Sequence, residues 1–308
     1  MRNKKMISLV MATMMVGILV MTGCSKEEGN NSNVQSESNV NTDKNNGINN
    51  NNQTNNNVTV EKLKDVFTNY DQRDTWDEDE AEAIDLNNVI DGVTISKEGT
   101  YILSGTLKDG QIYVDVSSEE KVQLVLNGVD INCASSAAIF VENADKVAIT
   151  LAEGSTNTLT DGGNAETSDA DGCIYSKDDL SINGTGKLIV NGKVSNGIDC
   201  NNDIKICGGN IEVNAVNNGI KAKQSISIKN GIIKIEADDA IKVSDKSDDT
   251  VGTFYMEGGE MDLVATDDGI TATISITVAG GKITSDVDGK NTNCDGVEKI
   301  ATGCLIKK

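Results

Sequence analysis

The residues able to do chemistry in this chain stand at fixed places around a recurring small turn. One set comes just before the turn glycine: Asp171, Ser195-Asn196, Asn217-Asn218, Asp238-Asp239, Asp267-Asp268 and Asp295. The other follows the next aliphatic residue: Asp199, Lys221, Lys242, Thr271 and Glu298. Calcium takes six to eight hard oxygen ligands, and carboxylates brought together repel unless an ion or a proton intervenes. Asp238, Asp239, Asp267 and Asp268 place four carboxylates in two consecutive repeats, so calcium is expected there, with Asp171 and Asp199 as further ligands. Asn and Asp before Gly also suit turn geometry by themselves, which accounts better for the Asn pairs. Lys221 and Lys242 offer two fixed cations one repeat apart. They read first as anchors for a carboxylated ligand and second as partners for Asp199 and Asp239.

Composition removes several alternatives. The 308 residues contain no His, which excludes imidazole metal sites and His-activated nucleophiles. With 48 acidic against 27 basic side chains the formal charge is −21, and a nucleic-acid partner would need clustered Lys and Arg instead. Three Phe, five Tyr and one Trp leave the core to aliphatic side chains and provide little surface for stacking neutral sugars.

The elements that must hold these residues are short strands. Val93–Ile95, Tyr101–Leu103, Ile112–Val116 and Val122–Leu126 each alternate for a few residues between Gly, Asp or Asn. No helical period persists beyond residue 84. Asn196-Gly197-Ile198-Asp199-Cys200 recurs as Asn218-Gly219-Ile220-Lys221-Ala222 and Asp239-Ala240-Ile241-Lys242-Val243. It returns as Asp268-Gly269-Ile270-Thr271-Ala272 and, more loosely, as Asp295-Gly296-Val297-Glu298. A second glycine follows at a constant offset, pairing 172 with 184, 197 with 209, 219 with 231 and 269 with 281. A unit of this size with three short strands cannot bury its apolar face alone, so units must stack. The expected fold is all-β: a right-handed parallel β-helix, three strands per rung, each rung about 4.8 Å above the last. Ile198, Ile220, Ile241 and Ile270 should form one internal column, and Cys200, Ala222, Val243 and Ala272 another.

Ahead of this solenoid lies a different kind of sequence. A basic start (Arg2, Lys4, Lys5) and an apolar run from Met6 to Met21 precede Met21-Thr22-Gly23-Cys24, which resembles a bacterial lipobox. Residues 1–23 are expected to be a lipoprotein signal peptide and Cys24 the lipidated residue. Cleavage there removes three basic residues and takes the charge from −21 to −24. The protein would then sit on the extracellular face of the bacterial cytoplasmic membrane, touching it through the lipid anchor only. Residues 24–57, with Asn at 14 of the 33 positions after Cys24, have too little apolar surface to fold and read as a tether. Residues 58–83 read as an acidic lead-in, with a short helical turn at Val58–Asn69 and a solvated run around Trp76. Residues 84–308 form the β-helix. The six remaining cysteines show no CxxC pair and are expected as free thiols.

Residues 74–308 resemble the clostridial cellulose- and polygalacturonate-binding β-helix family. The resemblance rests on Thr75-Trp76-Asp77-Glu78, Gly99-Thr100-Tyr101-Ile102-Leu103-Ser104-Gly105, Leu124–Val129 and the Asp/Asn-Gly-Ile repeats. It implies a carbohydrate-binding domain of pectin-lyase-like fold on a lipoprotein, with calcium and an acidic or cellulosic polysaccharide as ligands. A more distant similarity is to the calcium-dependent pectate lyases of polysaccharide lyase family nine. Asp171, Asp199 and Lys221 match their site, whereas Ser195 and Asn196 replace two of its carboxylates. That similarity implies β-elimination on a uronate, with calcium acidifying the C–H and Lys221 as base. Three functions therefore compete: binding of polysaccharide, weak lyase activity with Lys221 as base, and a structural or adhesive solenoid.

Overall fold

In this computed structural model the described residues are 57–163 and 170–308, all within the compact unit Thr54–Lys308. The signal segment, Cys24 and nearly all of the tether lie outside them. Apolar residues at every second position drive strand formation, and each strand pairs in parallel with the one a turn later. One turn illustrates the rest. Gly172–Ser176 lies on what we term the third face, Asp179–Gly184 on the first, Lys187–Gly192 on the second, and Asn196–Cys200 returns to the third. About ten such turns stack into a parallel β-solenoid, with the third face forming a nine-stranded sheet. The helix described is a single 3-10 turn, Leu86–Asn88.

The interior is a set of aliphatic ladders. On the third face Ile112, Ile139, Ile174, Ile198, Ile220, Ile241 and Ile270 stand in register, all fully buried. Ser176, Cys200, Ala222, Val243 and Ala272 form the neighbouring column. The first face carries Leu124, Ile149, Ile182, Ile206, Ile228, Met256 and Val278. Each buried Leu or Ile contributes about 1.5–3 kcal/mol on leaving water, and stacking repeats that term along the axis. Cys133, Cys173, Cys200, Cys207, Cys294 and Cys304 are free thiols. Burial raises the pKa of Cys173 and Cys200, which keeps them inert.

The second glycine of each repeat makes the corner between the first and second faces. Gly184, Gly209, Gly231 and Gly281 all have positive φ, from 86° to 130°. At Gly184 a Cβ would also collide with the Leu151 carbonyl oxygen of the preceding turn.

Two expectations are corrected. The last repeat on the third face is Thr292-Asn293-Cys294, aligned with Ile270-Thr271-Ala272. Asp295-Gly296-Val297-Glu298 does not continue the repeat: Glu298 belongs to the first face, opposite Ile276. The glycine match misled because a Gly after Asp marks any tight turn. Residues 58–76 likewise form no helix. They run as a strap along the first face, opposite to the direction in which the rungs advance. Val58 exchanges hydrogen bonds with Thr302, Leu63 N–H donates to Tyr255 Oη, and Gln123 Nε2 donates to the Arg73 carbonyl. Asp71 is not solvated. Its carboxylate is fully buried, 2.7 Å from Lys146 Nζ and 3.4 Å from Lys205 Nζ, and accepts a third bond from Thr68 Oγ1.

Candidate functional site

The outer side of the third face carries one continuous column. It reads Tyr113, Phe140, Tyr175, Asp199, Lys221, Lys242, Thr271, Asn293 from turn to turn. The aromatic end is closed to solvent at Phe140 and Tyr175, while Tyr113 is half-buried. Phe140 and Tyr175 are buried with Ala137 and Ala170, and adjacent ring centroids lie 5.5 and 5.1 Å apart. The charged end opens into a cleft of about 640 Å³. Lys221, Lys223, Lys242 and Lys246 line it, with Asp171 and Asp245 as its carboxylates. Lys221 lies on the strand Asn218–Ala222 and Lys223 just beyond its end, and the Asp245–Ser247 part of an insertion supplies Lys246 and one wall. A strongly acidic protein thus has four ammonium groups around one depression.

The four lysines differ in what they already hold. Lys221 Nζ lies 2.9 Å from Asp199 Oδ2, and Lys242 Nζ lies 2.7 Å from Asp239 Oδ2. Lys223 and Lys246 have no ion pair or side-chain hydrogen bond to Nζ among the described residues. The two expected anchors are therefore neutralised by close partners, and two lysines that the repeat pattern did not single out lack a close pair, with Asp245 acting on Lys223 through space. Period-two spacing from Lys221 would have pointed to Lys223. Nothing in the repeat pointed to Lys246, because it lies in the insertion.

Asp199 does not project into solvent as the column predicted. Only 1% of it is exposed, and Oδ2 also accepts a 2.7 Å bond from Asn196 Nδ2. Burial pushes its pKa above the ordinary carboxylate value, with Lys221 opposing. Asp199 Oδ1 and Asn218 Oδ1 are buried without a donor. Lys221 is committed to an ion pair and is not placed as a free base.

The residues before the turn glycine separate into two columns. Asn196, Asn218, Asp239 and Asp268 form an inner ladder in which all but Asn218 accept from the next turn. Asn218 Nδ2 donates to Asn196 Oδ1 at 2.7 Å, Asp268 N–H to Asp239 Oδ1 at 3.1 Å and Lys290 N–H to Asp268 Oδ1 at 2.7 Å. Asn196 Oδ1 thus serves both the backbone N–H and the side chain of Asn218, whose own Oδ1 has no donor. Asp171, Ser195, Asn217, Asp238 and Asp267 lie outside this ladder. The register pairs Gly172 with Asn196, so Asp171 falls one position outside the expected alignment and is exposed.

Of the four clustered carboxylates, three meet. Oxygens of Asp239, Asp267 and Asp268 lie within 4.8 Å of one another. Asp238 is excluded: it is exposed and accepts a 2.6 Å bond from Thr266 Oγ1. Repulsion from Asp268 and then Asp239 raises the pKa of Asp267. By donor type the trio fits a hard cation such as calcium, and Asp267 has no side-chain donor bound to it among the described residues. Lys242 is the competing charge, because it already occupies Asp239.

Comparison with known proteins bears on this arrangement. A family model described as carbohydrate-binding domain-containing protein matches residues 91–304. A protein of that description from Acetivibrio thermocellus is 38% identical over 221 residues, covering 70% of this chain and 77% of the relative. A solved structure of a polysaccharide lyase-like protein from C. thermocellum, a gadolinium derivative, superposes with a TM-score of 0.69 at 40% identity. It covers 74% of this chain and 99% of its own.

Proposed function

Since the chain belongs to the family of carbohydrate-binding domain-containing proteins, we propose that it captures acidic polysaccharide in the lysine cleft of the third face. The observation that carries this reading is the gathering of four lysines in one cleft, two of them (Lys223 and Lys246) without a close ion pair, in a protein whose formal charge is −21. A polyuronate is repelled by the molecule as a whole and needs a local reversal of sign to bind. Lys223 and Lys246 offset the cleft's own carboxylates, Asp171 and Asp245. Lys242 supplies the positive surplus when a cation on Asp239, Asp267 and Asp268 releases it, whereas Lys221 stays paired with Asp199. Calcium would thus be a partner in binding, held by those three carboxylates.

The cleft argues for binding over elimination, because Lys221 is held by Asp199 where a lyase needs a free base. It also argues against a purely structural solenoid, in which unpaired lysines would have no reason to gather. Electrophoresis in native gels containing polygalacturonate, with and without calcium, tests the reading. Wild-type protein should be retarded only with calcium, and Lys223→Ala with Lys246→Ala should migrate as it does in plain gel. Equal retardation of wild type and double variant would remove the cleft as the site.

We place the protein on the extracellular face of the cytoplasmic membrane, anchored by lipid on Cys24. Palmitate labelling that is lost in Cys24→Ala would support this, and a soluble unlabelled wild type would refute it.

A further inference from the structure

We propose that the corner between the first and second faces binds a linear aliphatic polyamine, with one ammonium end held among carboxylates against Trp76 and the other at Glu260. Two cavities of about 710 and 520 Å³ meet at this corner and share Asp74, Gly184 and Thr185. The larger runs over Gly184, Gly209, Gly231 and Gly259, with Gln72 and Asp74 of the strap along one side. The smaller ends at Trp76, Glu78 and Glu153. Strand register sets the length of the groove. Thr156, Lys187, Asn210, Ile232 and Glu260 follow one another turn by turn, and Glu153 stands at the corner just before Thr156. Four turns at about 4.8 Å separate Glu153 from Glu260 by roughly 19 Å along the axis. An extended spermine with a hydrogen bond at each end fills that span.

The groups left over in this groove are acceptors. Asp74, Glu78, Glu153 and Glu260 border it, and none has an ion pair or side-chain hydrogen bond among the described residues. Lys229 also lines it but is taken up by the strap, bonded to Gln72 Oε1 and 5.8 Å from the centre of the Phe67 ring. Asn183 lines the groove, is 2% exposed, and has a buried Oδ1 with no donor, while its Nδ2 is held by the Asp71 carbonyl at 3.1 Å. A buried amide oxygen lacking a donor is costly. Protonated amines bring N–H donors and no acceptor, which is what these groups lack.

Trp76 selects an organic cation over a metal ion. It is half-buried and has no hydrogen bond, ring contact or cation–π partner among the described residues. An ammonium over a tryptophan face is attracted by the ring quadrupole, and the surrounding carboxylates act in the same direction. Between the two charged ends, the glycine corners leave room for a methylene chain, and exposed Ile232 offers it apolar contact. A carboxylated chain is repelled by the same rim, and a neutral chain leaves four carboxylates without a counter-charge.

Isothermal calorimetry of the full protein with spermine tests this, in about 0.15 M salt, where exposed charges more than about 8 Å apart are largely screened. Saturable binding is expected, and the emission of Trp76, the only tryptophan in the chain, should change along the same curve. Putrescine, too short to reach both ends, should bind about tenfold more weakly. Glu153→Gln with Glu260→Gln, both at exposed positions, should weaken spermine binding about tenfold. Glu236→Gln with Asp249→Asn removes the same charge from exposed positions outside the groove and should leave the affinity unchanged. Lys223→Ala with Lys246→Ala should leave spermine binding intact, so failure of this groove and failure of the lysine cleft are told apart. No saturable heat, no change in Trp76 emission, putrescine binding as tightly as spermine, or equal losses in the two acidic pairs would each overturn the proposal.

Discussion

Replacing Lys221 by Ala should destabilise the protein, although the side chain lies on an outer column. Its ammonium is the cation paired with Asp199, whose side chain is 2% exposed. Without it the carboxylate keeps one donor, Asn196 Nδ2, and Oδ1 still has none. Breaking a buried pair by removing one partner costs about 3 kcal/mol at the low end of the usual range. For a domain of this length that is a fall in Tm of roughly 6–12 °C. The sign of the pH dependence follows from the pKa of Asp199, already raised by burial and held back by Lys221. A native carboxyl with a raised pKa binds a proton that the unfolded one has lost. Stability therefore falls as pH rises from the ordinary value of 3.8 through the raised native value. Removing Lys221 moves that window further up. The deficit against wild type should thus be largest at neutral pH and shrink as pH falls toward 4, where Asp199 can be protonated. Thermal melts followed by circular dichroism across that range read it directly. Asp199→Asn in the Lys221→Ala background should restore most of the lost stability at neutral pH. An unchanged melt for Lys221→Ala, a deficit indifferent to pH, or no rescue by Asp199→Asn would refute the assignment of Asp199 as a buried charge held by Lys221.

Asp71→Asn should free the strap, since Lys146 and Lys205 lose their buried carboxylate; proteolysis within residues 58–76 should become faster and stability should fall by about 3 kcal/mol. Burial opposes ionisation of Asp71, but bonds from Lys146 and Thr68 outweigh it and hold its pKa below the ordinary value. This contribution is therefore present above the ordinary carboxylate range and lost as pH falls through the native value, the reverse of Asp199. Calcium at a hundredfold excess over its Kd should stabilise the fold by about 2.7 kcal/mol. EDTA should remove that gain, and Asp267→Asn should blunt it while Asp238→Asn should not; equal effects of the two substitutions would argue against the trio. Polygalacturonate retention should weaken as monovalent salt rises, because the cleft lysines are open to solvent and screened over about 10 Å at 0.1 M. Retention indifferent to salt would contradict a lysine-based grip.

The stacked architecture was legible without coordinates. Ile198, Ile220, Ile241 and Ile270 recur at the same point of each unit, and only one arrangement buries a row of isoleucines from units too small to fold alone. The glycine offsets likewise marked a real corner, because a backbone position with positive φ strongly restricts the residue type. Chemistry was less legible. Asp199, Lys221 and Lys242 follow the same pattern position, yet Asp199 is buried, Lys221 serves it, and Lys242 reaches back three residues to Asp239. Strand periodicity tells which face a residue is on; whether that face is wet depends on what packs over it, as the covered rings of Phe140 and Tyr175 show. Lys223, Lys246 and Trp76 acquire meaning from neighbours an insertion or a whole strap away. Asp71 is the extreme case, an acidic residue in an acidic stretch whose two cationic partners lie 75 and 134 positions further on. The repeat is local information, carried by every unit. Burial and charge pairing arise between distant segments, and the tertiary structure alone brings those together.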